Sequence, residues 1–163
     1  MRCATIAPVL RFQPIPADAP PASDLLAAMV AEMSTLYGRI DAPGMPSATP
    51  ADFAAPHGTF LVGFDADGAP VCGGGVKRLD DRAAEIKRMY VVPAARRRGH
   101  ARTLLHALED VARGLGYSTV RLDTGPQQAH AQALYEAEGY RPIGNFNANP
   151  VASFWGEKQL GPG

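Results

Sequence analysis

Cysteine is nearly missing from this chain. Cys3 and Cys72 are the only two among 163 residues, too few for a disulfide framework or a cysteine metal set. A reducing, cytoplasmic setting is the expectation. Long hydrophobic runs are missing too. No stretch approaches the ~20 apolar residues of a membrane span, and Pro8 and Arg11 cut the N-terminal apolar run short of a signal peptide's core. Net charge is the third absence. Lys+Arg and Asp+Glu each number 16, so no overall field draws nucleic acid or a membrane, and no basic face is interleaved with aromatics. His57, His100, His106 and His130 lack metal-ligand spacing and read as surface residues, so no metal is expected.

What is present describes an ordinary globular chain: 46% hydrophobic and 20% charged residues, long enough for residues 1–163 to form one domain with a real core. Residues 9–15 read as a strand. Ser23 or Asp24 can cap a helix whose apolar positions Leu25, Leu26, Met29, Val30, Met33, Leu36 and Tyr37 recur at three and four, with Gly38 as its stop. Residues 39–58 form a long irregular connection with a short helix opened by Thr49-Pro50. Residues 59–64 and 69–77 read as strands joined by a turn at Asp65-Ala66-Asp67-Gly68. That turn lacks the other ligand positions of a calcium loop. Gly73-Gly74-Gly75 lies inside the second of these strands and opens no helix, so it marks a bulge or a close backbone approach rather than a nucleotide loop.

The most informative stretch is 85–105. A strand over residues 86–92 runs through Arg96, Arg97, Arg98 and Gly99 into a helix with Ala101, Leu104, Leu105, Leu108, Val111, Ala112 and Leu115 on one stripe. Free amides at a helix start, the positive end of its dipole and nearby guanidiniums converge on one place, an anion site for a phosphate-bearing ligand. Residues 119–124 form the next strand, so strand, helix and strand make a parallel βαβ unit. A helix over residues 127–138 and closing strands at 140–143 and 151–160, around an Asn-rich loop at 145–149, complete a mixed α/β order.

Two motifs in this half resemble a known family. Val91-x-Pro93-x-x-Arg96-x-x-Gly99-x-Ala101 resembles the acyl-CoA-binding signature of the GNAT N-acetyltransferases, and Ala131-x-x-Leu134-Tyr135-x-x-x-Gly139-Tyr140 resembles their second signature helix. EIKRMYV at 85–91 and LDTG at 122–125 resemble a branch of small bacterial members of unassigned acceptor. Two departures stand out: Arg97 occupies a place often held by Gly, and Gln128 one often held by Asn.

The resemblance implies a single-domain mixed sheet with a central βαβ acyl-CoA-binding unit, with acetyl-CoA as co-substrate. It implies that Met89, Tyr90 and Val91 line the pantetheine arm through a strand that splays from its neighbour. Thr124 and Gln128 lie opposite, and Arg96, Arg97, Arg98, Gly99, His100, Ala101 and Arg102 hold the pyrophosphate. Tyr135 is then the acid for the leaving thiolate, and Glu85 a base for the acceptor ammonium, beside the alternative of a Glu paired with Lys87. Arg88 could pair with a carboxylate on the acceptor, unless alternation along the strand turns it away from the site.

The implied reaction is direct attack of a primary amine, on a small metabolite or amino-acid-like acceptor, in a ternary complex. Acetylation of a protein or peptide amine, or a non-catalytic acyl-CoA-binding module, are the alternatives. Acceptor contacts are expected from residues 25–58 and 144–153. Homodimers are common in the family, so a second copy of the chain is among the expected partners.

Overall fold

The computed structural model describes residues 9–38 and 47–162; Cys3 and the first part of the long connection, residues 39–46, lie outside them. The strands are β1 (Arg11–Pro14), β2 (Thr59–Phe64), β3 (Pro70–Arg78), β4 (Ala83–Val91), β5 (Thr119–Thr124), β6 (Arg141–Pro142) and β7 (Phe154–Gln159). The helices are α1 (Ala22–Tyr37), α2 (His100–Gly114) and α3 (Ala129–Ala137). The strands make a mixed sheet in the order β1-β2-β3-β4-β5-β7-β6. Its neighbours run antiparallel except β4 and β5, which are parallel and joined through α2. The expected βαβ unit is therefore at the centre of the sheet.

Alternation divides the strand side chains between two cores. Leu61, Cys72, Val76, Ala84, Ile86, Val120 and Leu122 meet Leu104, Leu105 and Leu108 of α2 on one face. Phe60, Val62 and Tyr90 meet Leu25 and Met29 of α1, and Phe53, on the other. Each fully buried Leu of α2 contributes about 1.5–3 kcal/mol, which fixes the start of that helix against the end of β4. Phe53 belongs to the 3₁₀ turn Pro50–Phe53, whose Asp52 carboxylate accepts from the Thr49 backbone N–H at 2.7 Å, as the Thr49-Pro50 signal suggests. The first helix starts without a side-chain cap; neither Ser23 nor Asp24 supplies one.

One irregularity matters for everything downstream. Gly75 pairs with Lys87 but Gly73 with Tyr90, so one residue of β3 opposes two of β4, and Arg88 takes a left-handed φ of 62°. This is a β-bulge, and it reverses which face later residues present. Ile86 points into the α2 core while Tyr90, four residues on, points into the α1 core. An unbroken strand would put both on one face.

Candidate active site

The parallel pair β4 and β5 is joined only at its start: Ala83 with Thr119, Ala84 with Val120, and Glu85 with Arg121. Beyond that the strands part. β5 stays paired to β7 through Thr124 and Phe154, and β4 stays paired to β3 through Val91 and Cys72. A wedge thus opens between residues 86–91 and 122–124, at the carboxyl ends of two parallel strands, where open α/β sheets bind ligands. A cavity of about 150 Å3 occupies it. Ile86, Lys87, Arg88 and Met89 form one wall, Asp123, Thr124 and Gly125 the other, with Met29, Met33 and Tyr37 of α1, Gln128, Tyr135, Asn149 and Val151 around them. Met89, Thr124, Gln128 and Tyr135 of the sequence-derived set meet here. Arg88 does as well, because the bulge re-aims it.

Tyr135 enters from α3. It is 7% exposed, packs edge-on against Tyr140 with ring centroids 5.8 Å apart, and donates from Oη to Met89 Sδ at 3.7 Å. Burial, with a smaller contribution from the Asp123 charge, raises this phenol well above its ordinary 10.0, so it is protonated throughout the neutral range. Gln128, just before α3, accepts through Oε1 from Tyr37 Oη at 3.5 Å, Thr124 Oγ1 at 3.3 Å and the Gly125 backbone N–H at 3.5 Å. It ties α1, β5 and the α3 entry together at the cavity.

The basic turn sits at the end of β4. Arg96 is extended, Arg97 and Gly99 are left-handed at φ 65° and 80°, and α2 begins at His100. A Cβ added at Gly99 would meet nothing within 4 Å, so the backbone there is open to close approach. Arg97 and Arg98 are exposed and, among the described residues, make no ion pair. Arg96 and Arg102 differ from the expectation of waiting cations. Arg96 pairs with Glu32 of α1 at 2.7 Å and donates from Nε to the Val91 carbonyl at 2.9 Å, while Arg102 pairs with Glu138 at 2.6 Å. Ala101 is half-buried; His100, read from sequence as a surface residue, is 4% exposed. The first turn of a helix that packs on the sheet must turn one side chain inward, and His100 is that residue. Open space at a left-handed glycine, free helix-start amides and two unpaired arginines suit the phosphates of a coenzyme A thioester.

Glu85 is 2% exposed. One carboxylate oxygen lies 3.6 Å from Lys87 Nζ, and the other accepts from Asn147 Nδ2 at 2.8 Å. Desolvation raises its pKa; Lys87 and Asn147 oppose that shift and Asp123 adds to it. The same Asn147 nitrogen donates to Asp123 Oδ2 at 2.6 Å, which also accepts from Asn149 Nδ2 at 3.0 Å. Trp155 Nε1 donates to Asn147 Oδ1 at 3.2 Å. Two carboxylates thus share one amide. Asp123 was not among the site residues read from sequence, although an aspartate inside a strand, where that residue is disfavoured, was a visible signal; Asn147 and Asn149 were not named singly but lie in the 144–153 stretch from which acceptor contacts were expected.

Among the described residues, no group of three or more His, Cys, Asp or Glu could hold a metal ion, and no helix is long and apolar enough to cross a membrane.

Comparison with known proteins agrees with this geometry. The profile of the Acetyltransferase (GNAT) family matches residues 26–140. The IAA acetyltransferase of Azospirillum brasilense is 36% identical over 110 residues, covering 66% of this chain and 71% of that protein. The uncharacterized N-acetyltransferase YsnE of Bacillus subtilis is 31% identical over 108 residues, 63% of this chain and 71% of its own length. A structure from Klebsiella pneumoniae described as an acyl-CoA N-acyltransferase superposes with a TM-score of 0.75 at 27% identity, over 93% of this chain and 98% of that one. A GNAT acetyltransferase from Elizabethkingia anophelis, solved with acetyl-CoA bound, shares the fold at a TM-score of 0.65 and 18% identity, over 93% and 98% of the two chains. With the family profile spanning well over half the sequence, the splayed parallel pair and both signature segments in place, this chain belongs to the GNAT family and is an acetyl-CoA-dependent N-acetyltransferase.

Proposed function

We propose that residues 1–163 form one cytoplasmic N-acetyltransferase domain that acetylates the primary amine of a small metabolite by direct attack in a ternary complex. The observation that carries this reading is the Tyr135 phenol, buried at the wedge and already donating to a sulfur, that of Met89, at 3.7 Å. The bound coenzyme supplies an acetyl thioester. The residues at 86–91 and Thr124 would flank its arm, with main-chain groups of Met89, Tyr90 and Val91 along one side. Residues 97–102 would hold its phosphates, Arg97 and Arg98 adding side-chain charge. Arg96 and Arg102, being paired to Glu32 and Glu138, would hold the turn in shape.

In the step itself the acceptor ammonium first gives one proton to the carboxylate pair, the freed amine nitrogen bonds to the acetyl carbon, the carbon–sulfur bond breaks, and the second nitrogen proton passes to the departing thiolate, leaving an amide and a free thiol. Glu85, whose basicity burial increases, is the proposed proton acceptor. Tyr135 hydrogen-bonds the departing thiolate. A thiol of pKa near ~8.5 is a stronger acid than this phenol, so the hydrogen bond, rather than early full transfer, is what lowers the barrier.

Acceptor-dependent release of free thiol tests the reading. Tyr135→Phe should lower kcat about 10²-fold, at the lower end of acid–base contributions, while the calorimetric Kd for acetyl-CoA stays within a factor of about three. Unchanged kcat would remove Tyr135 from the chemistry.

A further inference from the structure

The acceptor half of the wedge holds a single acid. Of the described residues around the cavity, Asp123 alone carries a carboxylate. Its Oδ2 accepts from two amides, Asn147 at 2.6 Å and Asn149 at 3.0 Å, and among the described residues its Oδ1 accepts no hydrogen bond. Two amides on one oxygen hold the carboxylate in one orientation and leave the other oxygen for a donor. Glu85 does not make that contact: it is absent from the cavity wall, and its oxygens face Lys87 and Asn147. Taking that wedge as the acetyl-transfer site, we propose that Asp123 seats the acceptor's ammonium, and that the acceptor is an aliphatic monoamine with no carboxylate beside its amine. Glu85 keeps the proton-accepting role behind it.

The chemistry of the walls sets that class. An aliphatic amine resembles the Lys side chain, whose reference pKa is ~10.4, so at neutral pH it reaches the site as an ammonium. A charge-assisted bond from that ammonium to an open carboxylate oxygen is of the strong kind. On the β4 wall the cations are already engaged: Lys87 Nζ lies 3.6 Å from Glu85, and Arg88 has an interaction of its own. An α-amino acid would bring its carboxylate next to Asp123 with no cation set aside to balance it, which costs binding energy in a partly desolvated cavity. The rest of the acceptor meets Met29 and Met33 of α1 and Val151. The flexible thioethers of the two methionines adapt to varied apolar chains.

Thiol release by the full chain with acetyl-CoA is measured for ethylamine, butylamine, hexylamine and 3-methylbutylamine, and for leucine, which adds only a carboxylate to the last of these. The expected result is a kcat/KM for 3-methylbutylamine about 10–100-fold above that for leucine, the range for one interaction of a charged group. Asp123→Asn can keep both asparagine contacts through its carbonyl oxygen but presents an amide N–H where Oδ1 stood. It should raise KM for 3-methylbutylamine about 10–100-fold and bring the amine and leucine within about threefold of each other. The Kd for acetyl-CoA should stay unchanged, a combination that a merely structural role would not produce. Native enzyme that acetylates leucine as well as 3-methylbutylamine overturns the proposal, and this comparison decides even where the variant fails to fold. A folded Asp123→Asn chain with KM and preference unchanged overturns it too, as does acetyl-CoA binding with none of the alkylamines acetylated. Failure to bind acetyl-CoA at all would instead overturn the site reading on which the proposal rests.

Discussion

Replacing Asn147 by Ala removes one amide and four contacts at once: donation to Glu85 at 2.8 Å, donation to Asp123 at 2.6 Å, and acceptance from Trp155 Nε1 and from the Asn149 backbone N–H, each at 3.2 Å. The first two go to carboxylates, and hydrogen bonds to charged groups are worth about 1.5–3 kcal/mol each. Because one nitrogen serves both and Asn147 is only half-buried, the loss should total about 2–4 kcal/mol at pH 7.5. The cost depends on pH with a definite sign. Glu85 is raised above its ordinary 4.5, mainly by desolvation, so the folded state holds this proton more tightly than the unfolded chain. That contribution lowers stability as pH climbs past 4.5. The Asn147 bond opposes the shift; without it the folded pKa rises further and the penalty at neutral pH grows. At pH 4.0 the carboxyl is largely protonated in both states, and the variant should cost only about 1–2 kcal/mol, as for neutral hydrogen bonds. Urea unfolding followed by far-ultraviolet circular dichroism at the two pH values measures the difference, independently of Trp155, whose fluorescence the substitution disturbs locally. An equal loss at pH 4.0 and 7.5 would refute the claim that Asn147 stabilises an ionised Glu85.

Other expectations follow from single atoms. Gly75→Ala places a Cβ 2.4 Å from two ring carbons of buried Phe53, which overpacks the α1 core and should lower the unfolding free energy by about 1–3 kcal/mol. Gly99→Ala meets no atom but must keep φ 80°, so it should cost about 1 kcal/mol of stability. It should also weaken acetyl-CoA more than tenfold by calorimetry, since on the proposed reading the new methyl stands where a phosphate approaches the backbone. The Cys72 thiol is fully buried, and desolvation pushes it up to about 12. It should therefore remain unlabelled by maleimide at pH 8 in the native protein and react on unfolding, as peptide mass mapping would show.

Much of this was legible in the sequence because local rules and the fold agree there. The α2 stripe of Leu104, Leu105 and Leu108, the β5 boundaries at Thr119 and Thr124, and the left-handed stop at Gly38 follow from periodicity and glycine conformations. The splay also accords with the family resemblance, since pairing of β4 to β5 ends at Glu85. What was not legible depends on partners distant in the chain. The bulge at Arg88 requires the register against Gly73 and Gly75, and nothing within EIKRMYV itself marks where alternation reverses. Arg96 and Arg102 read as free cations until folding brings Glu32 and Glu138 to them from 64 and 36 residues away. Asp123 acquires its place from two asparagines in a later loop, a pairing that no spacing rule encodes.

The central claim is that the wedge between β4 and β5, with the Arg97–Gly99 turn beside it, binds acetyl-CoA and places its thioester against Tyr135. Isothermal titration of the native chain with acetyl-CoA, in parallel with a Gly99→Ala and a Tyr135→Phe chain, tests it most directly. The account predicts one site per chain, a Kd weakened more than tenfold by the glycine substitution and almost unchanged by the tyrosine substitution. No heat of binding at millimolar acetyl-CoA, or equal affinity in the native and Gly99→Ala chains, would contradict it.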